Sequence, residues 1–399
     1  MTALVTFLGK GRDSSSTGYR TATYRFPDGH TQTTAFFGLA LADWMDVDRV
    51  VILGTPTSMW DVFVEQFAVE GEEEARLALI EAVAGQGVNE SLLESVRPLI
   101  EQAVGRPCHL ELIPLARDEA EQLAILERIT EIVRQKEPVV FDVTHGFRHL
   151  GMLTLASARL LAALQDITVA KIYYGALEMM QDGIAPVLEL TGLERVQRWT
   201  EALAHYEASG DYGVFADLLV ADGLDRGLAE RLKRAFQREQ VLQIAQAAKE
   251  LKPVVQVLKT MLAGASELFR VRLLKAMRWV DAPDLAEQQR ILAYQALARR
   301  DFLRAAILGQ EALVSKLVLA KNLNPEEYAA REQVEQRFQE ELRNQRHPKW
   351  RAEAYWLLKN LRNAMAHATK PRGEYQSVLA HPERLQAELQ KALQRLLQE

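Results

Sequence analysis

The chain of 399 residues contains 48% apolar and 26% charged residues and has a formal net charge of −6. This composition excludes a disordered or membrane protein, and the length predicts at least two domains. The single cysteine, Cys108, excludes an internal disulfide and a cysteine-based zinc site. No run approaches the roughly 20 apolar residues of a membrane span, and residues 1–5 lack the basic start of a signal peptide. We therefore expect a soluble protein of the reducing cytoplasm with no membrane partner.

Strand and helix patterns alternate through the first half of the chain. Asp118 is placed to cap a helix, and the turn at residues 27–29 (Pro-Asp-Gly) predicts a β-hairpin. A helical, acidic insert occupies about residues 59–104, and we assign no role to its part from about residue 70 onward. The alternation predicts a Rossmann-like parallel sheet. The predicted strands are 4–8, 21–26, 31–34, 49–53, 109–114, 138–143, 167–174 and 184–190, and the predicted helices are 36–45, 118–135 and 148–164.

The pattern changes after Thr191. Helical periodicity continues to Glu399, and no strand alternation survives there. We therefore predict an α/β domain at residues 1–191 and an all-helical domain at residues 192–399. Breaks between helices are predicted near Gly210, Gly223, Pro253, Pro283, Pro325, Pro348 and Pro371.

Four polar or glycine-rich segments follow predicted strands of the first domain. In open parallel sheets ligands lie beyond the carboxyl ends of the strands, so these segments are expected to converge on one site. Thr144 offers a hydroxyl, the backbone after Gly146 favours an anion, and Arg148 or Lys10 can meet a phosphate. A nucleotide is favoured over a metal, because no His/Asp/Glu cluster has ligand spacing. The segments are Gly9–Arg12, Gly54–Thr57, Val143–Arg148 and Tyr173–Gly175.

Other interpretations of these segments stay open. The run Gly9-Lys10-Gly11 fits neither the P-loop frame nor the dinucleotide fingerprint. Thr144 is also placed to cap a helix, and His145 is also consistent with a core histidine whose hydrogen bonds are satisfied. Tyr173 and Tyr174 are also consistent with ordinary strand residues.

Near the C-terminal end, Arg362, Asn363 and His367 continue a run of helical periodicity. On a helix Asn363 and His367 stand one turn apart on the same face, and Arg362 flanks them. Cleavage of a phosphodiester by its own 2′-hydroxyl needs proton transfer and a cation beside the developing phosphorane. Histidine performs the first near neutral pH and arginine provides the second. The segment is therefore a candidate ribonuclease site.

The surroundings of this segment are basic, which predicts a patch that attracts phosphate. A solvated helix with a capping histidine is the alternative. The spacing of arginine and histidine alone does not distinguish these two interpretations, because Arg25 and His30 have the same spacing across a turn. The basic residues are Arg343, Arg346, Lys349, Arg351, Lys359, Arg362, Lys370 and Arg372, against one acid, Glu353.

The segment Asp142–Gly146 (Asp-Val-Thr-His-Gly) resembles the signature of the CRISPR-associated DxTHG family. The segments Phe7–Gly11, Tyr24–Phe26 and Val51–Thr55 resemble the N-terminal half of the same family, which is a CRISPR-associated Rossmann fold (CARF) domain. Arg362-Asn363 followed by His367 resembles the HEPN ribonuclease motif. Together these resemblances imply an α/β, Rossmann-like CARF domain followed by an all-α HEPN domain.

The resemblance implies an ancillary ribonuclease of a type III CRISPR system. Such proteins are homodimers in which a cyclic oligoadenylate, here expected to be cyclic tetra-adenylate, binds across the paired CARF domains. Arg362 and His367 of both chains then form one catalytic site, and Asn363 orients them. No catalytic cofactor, no metal and no stable complex with the interference complex are expected. The implied ligand contacts are Gly9, Lys10, Gly11, Thr55, Thr144, His145, Gly146 and Arg148.

Two functions remain in competition. The first is an activated, metal-independent endoribonuclease that cleaves single-stranded RNA by 2′-hydroxyl attack. The second is a non-catalytic nucleotide sensor whose helical domain binds nucleic acid or a partner protein. The resemblance also allows slow cleavage of the activator ring by the CARF loops, for which Lys10, Ser14–Thr17 and His145 are the candidates.

Overall fold

The computed structural model describes residues 2–10, 19–66, 73–165, 167, 169–260, 263–367 and 373–398. The chain forms two compact units, residues 1–195 and 196–399. The division falls inside a helix that begins at Thr191, the residue at which the sequence predicted the boundary. No helix of the described ranges has the length and apolar character needed to cross a membrane.

A twisted sheet forms the centre of the first unit. Along the sheet the strands run in the order β3-β2-β8-β7-β6-β1-β4-β5. Successive residues of β1 alternate between the two faces, so that Leu4 packs into one apolar layer and Val5 into the other. The strands are β1 (Ala3–Leu8), β2 (Ala22–Arg25), β3 (Thr31–Thr34), β4 (Arg49–Gly54), β5 (Cys108–Leu112), β6 (Val139–Asp142), β7 (Val169–Gly175) and β8 (Ile184–Glu189).

The Rossmann-like prediction is confirmed for β7, β6, β1, β4 and β5, which are parallel. Beyond these five strands, β8 is antiparallel to β7, and the predicted β2–β3 hairpin joins the outer edge of β8. Only eight residues, 176–183, connect β7 to β8, whereas a parallel neighbour would need a crossover of about a dozen residues or more.

Helices cover both faces of this sheet. Asp118 caps α5 as predicted, because its Oδ1 accepts from the backbone N–H of Glu121 at 2.9 Å. Helix α6 begins directly after the loop that follows β6, and this places its first residue, Arg148, near the carboxyl-terminal edge of the sheet. The helices are α1 (Phe37–Met45), α2 (Val62–Gln66), α3 (Glu73–Ala84), α4 (Glu90–Val104), α5 (Glu119–Ile132) and α6 (Arg148–Gln165).

The second unit is helical throughout its described residues. Its largest helical contact joins α12 and α13, and Gly309 of α13 lets α17 approach closely, since a Cβ there would lie 2.1 Å from Leu393 Cδ2. The helices are α7 (Thr191–Ser209), α8 (Ala216–Ala221), α9 (Arg226–Gln240), α10 (Ile244–Lys259), α11 (Ser266–Met277), α12 (Leu285–Ala298), α13 (Phe302–Leu319), α14 (Tyr328–Arg343), α15 (Lys349–Ala366), α16 (Glu374–Leu379) and α17 (Pro382–Leu397).

One predicted helix break is wrong. Pro253 lies inside α10, and the chain turns earlier, at Leu242 with φ +63°. Proline removes one backbone hydrogen bond from a helix. Burial of Leu251, Val254 and Leu258 along α10 offsets that loss. Pro371 lies outside the described residues.

Candidate functional site

Hydrogen bonds join the end of β1 to the loop after β4, and the loop after β6 to the end of β7. The hydroxyl of Ser58 donates to the carbonyl of Leu8 at 2.6 Å, and the N–H of Met59 donates to the carbonyl of Gly9 at 3.0 Å. The N–H of Gly175 donates to Oγ1 of Thr144 at 2.8 Å. The four strand ends therefore form one connected edge.

Gly9 and Gly146 meet at this edge. A Cβ on Gly9 would lie 2.7 Å from the backbone nitrogen of Gly146, and Gly146 itself has φ +93°. A side chain at either position would clash or force a strained backbone. The two glycines therefore allow the β1 loop and the β6–α6 loop to pack together.

Asp142 and Thr144 connect β6 to its neighbours. Asp142 is fully buried, where its Oδ2 accepts from Thr6 Oγ1 at 2.7 Å and its Oδ1 from the Thr144 N–H at 2.8 Å. Burial raises the pKa of Asp142 to about 6, against the opposing effect of these hydrogen bonds. Because the Thr144 hydroxyl accepts from Gly175, this side chain fixes β7 beside β6 in the structure.

His145 lies at the start of α1 as well as beside the cavity of this edge. Its Nε2 accepts from the backbone N–H of Phe37 at 3.0 Å, and its ring packs on Phe36 with 5.4 Å between centroids. Loss of hydration lowers the pKa of His145 to about 4. The imidazole is therefore neutral at physiological pH, with its proton on Nδ1, and it satisfies an N–H that α1 leaves without a side-chain cap.

Thr55 is buried, at 5% exposure. Its N–H donates to Ser58 Oγ at 2.9 Å, and its carbonyl accepts from the indole N–H of Trp60 at 2.9 Å. In the described structure Thr55 therefore shapes the turn after β4.

A cavity of about 420 Å³, the N-terminal cavity, opens at this edge. Lys10 and Arg20 give it two cations, Glu178 gives it a carboxylate, and His145 forms part of its wall. Lys10 and His145 are thus the sequence candidates that line it, while Gly11 lies outside the described residues, as does the predicted Ser14–Thr17 loop. The other lining residues are Tyr19, Ala22, Tyr24, Ala35, Met59, Leu177 and Met180.

Arg148 is exposed and is not among the residues that line this cavity. It lies close enough to Glu178 that its charge helps to lower the pKa of that carboxylate, although the hydrogen bond from Tyr174 is the larger cause. The Tyr174 hydroxyl donates to Glu178 Oε2 at 2.7 Å. Arg148 therefore lies in a polar group with Tyr174 and Glu178. There the Glu178 carboxylate would compete with a ligand phosphate for the guanidinium.

Arg362 is half-buried on the predicted helix, which the structure confirms as α15. Its Nε donates to Oε1 of Gln310, on α13, at 3.1 Å. The Gln310 amide donates in turn to Oε1 of Glu335, on α14, at 2.9 Å. The same oxygen accepts from the Tyr355 hydroxyl at 2.9 Å and lies 3.9 Å from Lys359 Nζ. Three helices therefore fix the guanidinium.

A cavity of about 460 Å³, the Arg362 cavity, opens beside this network. Its charged lining is balanced, because three cations face three carboxylates. Burial lowers the pKa of Lys359, and the charge of Arg362 adds to this effect. The charged residues are Arg331, Lys359 and Arg362, with Glu311, Glu332 and Glu335.

His367 is exposed and ends α15, where its N–H donates to the carbonyl of Asn363 at 3.0 Å. This is the one-turn relationship that the sequence predicted for the two residues. Arg362 and His367 are separated by about 140° around the helix axis. His367 is not among the residues that line the Arg362 cavity.

Aromatic rings hold several cations of the predicted basic patch. Arg343 lies 5.7 Å from the Trp356 ring and Arg351 lies 5.4 Å from the Phe338 ring. Lys349 is 3.8 Å from Glu353, one turn along α15. Lys370 and Arg372 lie outside the described residues. Within the described ranges, no group of three or more His, Cys, Asp or Glu residues has the arrangement of a metal site.

Sequence reasoning missed four residues that contribute to these sites. Arg20 and Glu178 line the N-terminal cavity, and Gln310 and Glu335 hold Arg362. Gln310 lies 52 residues from Arg362, a separation that no local pattern connects. Arg20 precedes the predicted β-hairpin, and this position was the sequence signal that could have identified it as a lining residue.

Comparison with known proteins finds similarity in the first part of the chain. Residues 3–178 match the family "CRISPR system endoribonuclease Csx1, CARF domain". The CRISPR-associated protein MJ1674 of Methanocaldococcus jannaschii is 24% identical over 260 residues, which are 59% of this chain and 41% of that protein. The chain thus matches about two fifths of the length of this relative. A CARF domain implies sensing of a cyclic oligoadenylate in CRISPR defence. The first unit therefore matches the Csx1 CARF family model, and the chain is similar to a CRISPR-associated protein.

Proposed function

We propose that this protein is a cytoplasmic endoribonuclease that a cyclic oligoadenylate, expected to be cyclic tetra-adenylate, activates in type III CRISPR defence. It cleaves single-stranded RNA by attack of the 2′-hydroxyl, without a metal ion. His367 transfers a proton, Arg362 stabilises the phosphorane and Asn363 orients them. The observation that carries the proposal is the fixed guanidinium of Arg362 on the helix that ends at an exposed His367, in a chain with a Csx1-type CARF domain.

The active form is a homodimer. Arg362 and His367 point to different sides of α15, so a complete site requires side chains from two copies. A two-fold axis presents the same surface twice and brings the arginine of one copy toward the histidine of the other. We assign residues 1–191 to the sensor domain and residues 192–399 to the all-helical linker and HEPN ribonuclease domain.

The experiment is to mix labelled single-stranded RNA with the protein and with cyclic oligoadenylates of three to six units in turn, and to measure cleavage and dimer content. We expect cleavage with one ring size, by a dimer, and products that end in a 2′,3′-cyclic phosphate. The balanced charge of the Arg362 cavity favours the second candidate, a non-catalytic sensor. Ring binding without cleavage by any ring would establish that alternative.

A further inference from the structure

The helical unit holds another cavity, of about 370 Å³, between α7, α11 and α12. We name it the α7–α11–α12 cavity. Its residues belong neither to the CARF domain nor to the network around Arg362. Its lining consists of Leu203, Tyr206, Glu207, Arg272, Lys275, Ala276, Arg278, Tyr294, Gln295, Ala298 and Arg299.

The charge of this cavity is strongly positive. Four cations line it against one carboxylate, Glu207, which lies 3.9 Å from Arg272 in a solvent-exposed pair. Lys275 and Arg278 are exposed, and within the described part of the chain neither forms an ion pair. An excess of cations in a concave site raises the local concentration of anions.

Arg299 is held in place before any ligand arrives. It is half-buried, and a Cβ on Gly210 would lie 2.7 Å from its Cζ. Gly210, with φ +81°, therefore both turns the chain after α7 and leaves room for the guanidinium. The charge of Arg299 also opposes the rise in the pKa of Glu239 that burial causes. The Glu239 carboxylate, however, already accepts a hydrogen bond from Arg304 at 2.8 Å. A pre-organised arginine loses less freedom when it binds an oxyanion.

The same cavity offers two half-buried aromatic rings, those of Tyr206 and Tyr294. Phenol rings are surfaces on which nucleobases stack without regard to sequence. Leu203, Ala276 and Ala298 complete an apolar wall. The volume lies within the roughly 300–1,000 Å³ of small-molecule sites.

We propose that the α7–α11–α12 cavity binds a nucleoside phosphate, with the base against Tyr206 and Tyr294 and the phosphate on Arg299, Lys275 and Arg278. A free nucleotide and one nucleotide of an RNA strand present this same chemistry. The proposal does not depend on ribonuclease activity, because the site is defined by binding alone.

The test uses the full chain and equilibrium binding of fluorescently labelled 5′-AMP. Adenosine and inorganic phosphate serve as competitors, and a ten-residue oligoadenylate with 2′-O-methyl groups serves as a strand that 2′-hydroxyl attack does not cleave. The variant is Lys275→Glu with Arg278→Glu, both on the surface, so that the fold is retained. The matched control is Lys321→Glu, an exposed lysine at the far end of α13, about 27 Å along that helix from its start beside Arg299.

We expect the double variant to bind AMP at least about tenfold more weakly, since charge-assisted hydrogen bonds to phosphate are lost. Lys321→Glu should bind like the wild type, and adenosine should compete more weakly than AMP. Tighter binding of the oligonucleotide than of AMP would identify an RNA strand as the occupant, and equal binding would identify a free nucleotide. Absence of AMP and oligonucleotide binding, or equal affinity in the wild type and the double variant, would overturn the proposal.

Discussion

The guanidinium Nε of Arg362 donates to the amide oxygen of Gln310 at 3.1 Å, and the amide nitrogen of Gln310 donates to Glu335. A long, charged side chain is thereby restricted to one direction at the rim of the Arg362 cavity. This restriction matters for catalysis, because a cation that already points toward the phosphate needs no reorganisation when charge develops on the phosphorane.

Gln310→Met removes the acceptor for Arg362 while it keeps the length and much of the volume of the side chain. We expect kcat for activated RNA cleavage to fall about tenfold or more, because a hydrogen bond to a charged group contributes about 1.5–3 kcal/mol. Binding of the cyclic oligoadenylate should not change. The matched control is Gln336→Met, an exposed glutamine that lines the same cavity. Equal kcat in the two variants would show that Gln310 does not position Arg362.

The catalytic pair is tested by His367→Ala and Arg362→Ala. Removal of the proton-transfer group is expected to lower the cleavage rate roughly 10²- to 10⁴-fold, and loss of the arginine to raise the barrier by about 3–4 kcal/mol. His381→Ala, which removes another exposed histidine of the helical unit, is the control. Full activity of His367→Ala would assign α15 a structural role and favour the non-catalytic sensor.

Local sequence patterns predicted most strands and helices, whereas long-range contacts determine how these elements pair and which residues surround the candidate sites. Periodicity located β1, α5 and α6, because alternation and capping are properties of neighbouring residues. The pairing of the β2–β3 hairpin with β8 was not predictable, since it joins Thr23 to Ile184 across most of the domain. The same limit hid Gln310, which contacts Arg362 from α13, and Glu335, which contacts Gln310 from α14.

Chelation should leave RNA cleavage intact, because a 2′-hydroxyl nucleophile with histidine and arginine does not require a Lewis acid. The measurement is the cleavage rate in EDTA, and in parallel the survival of a DNA strand of the same sequence. Activity that disappears in EDTA and returns with one divalent ion would contradict the mechanism. Cleavage of the DNA strand would exclude 2′-hydroxyl attack.

Lys10 lines the N-terminal cavity, whereas Arg148 stands outside its lining beside Glu178. Lys10→Ala should therefore shift the activation curve to about tenfold higher activator concentration, and Arg148→Ala should shift it less. An activator shifts the equilibrium between the inactive and active states by no more than the difference in its affinity for them. Weaker binding therefore raises the activator concentration that is required. Lys136→Gln, an exposed lysine before β6, is the control. A larger shift for Arg148→Ala would place the ring phosphates at the start of α6.

A bulky residue at Gly146 is expected to disturb the folding of the first unit as well as sensing. Its Cβ would lie 3.2 Å from Phe7 Cβ and from Leu150 Cδ1, and its φ of +93° disfavours any side chain. We expect Gly146→Trp to lower the stability of the first unit as well as the response to activator, which a thermal melt measures. An unchanged melt with lost activation would instead make Gly146 a ligand contact.

Asp142 and His145 give the first unit opposite pH dependences. Burial raises the pKa of Asp142 from 3.8 to about 6, so its contribution to stability is present below pH 4 and is lost as pH rises through 6. Burial lowers the pKa of His145 from 6.5 to about 4, so its contribution is present above pH 6.5 and is lost as pH falls through 4. Between pH 4 and 6 the two effects largely cancel, and each amounts to at most about 3 kcal/mol.

Single variants should expose each effect. In His145→Gln, whose carbonyl can still accept from the Phe37 N–H, the free energy of unfolding should fall as pH rises from 4 to 6. In Asp142→Asn it should rise over the same interval, because the histidine effect alone remains. The measurement is native-state hydrogen exchange on peptides from β1 and β6, corrected for the intrinsic exchange rate at each pH. Other titrating groups act equally in all three proteins. The same dependence of the free energy of unfolding on pH in the wild type and both variants would therefore contradict the assigned pKa shifts.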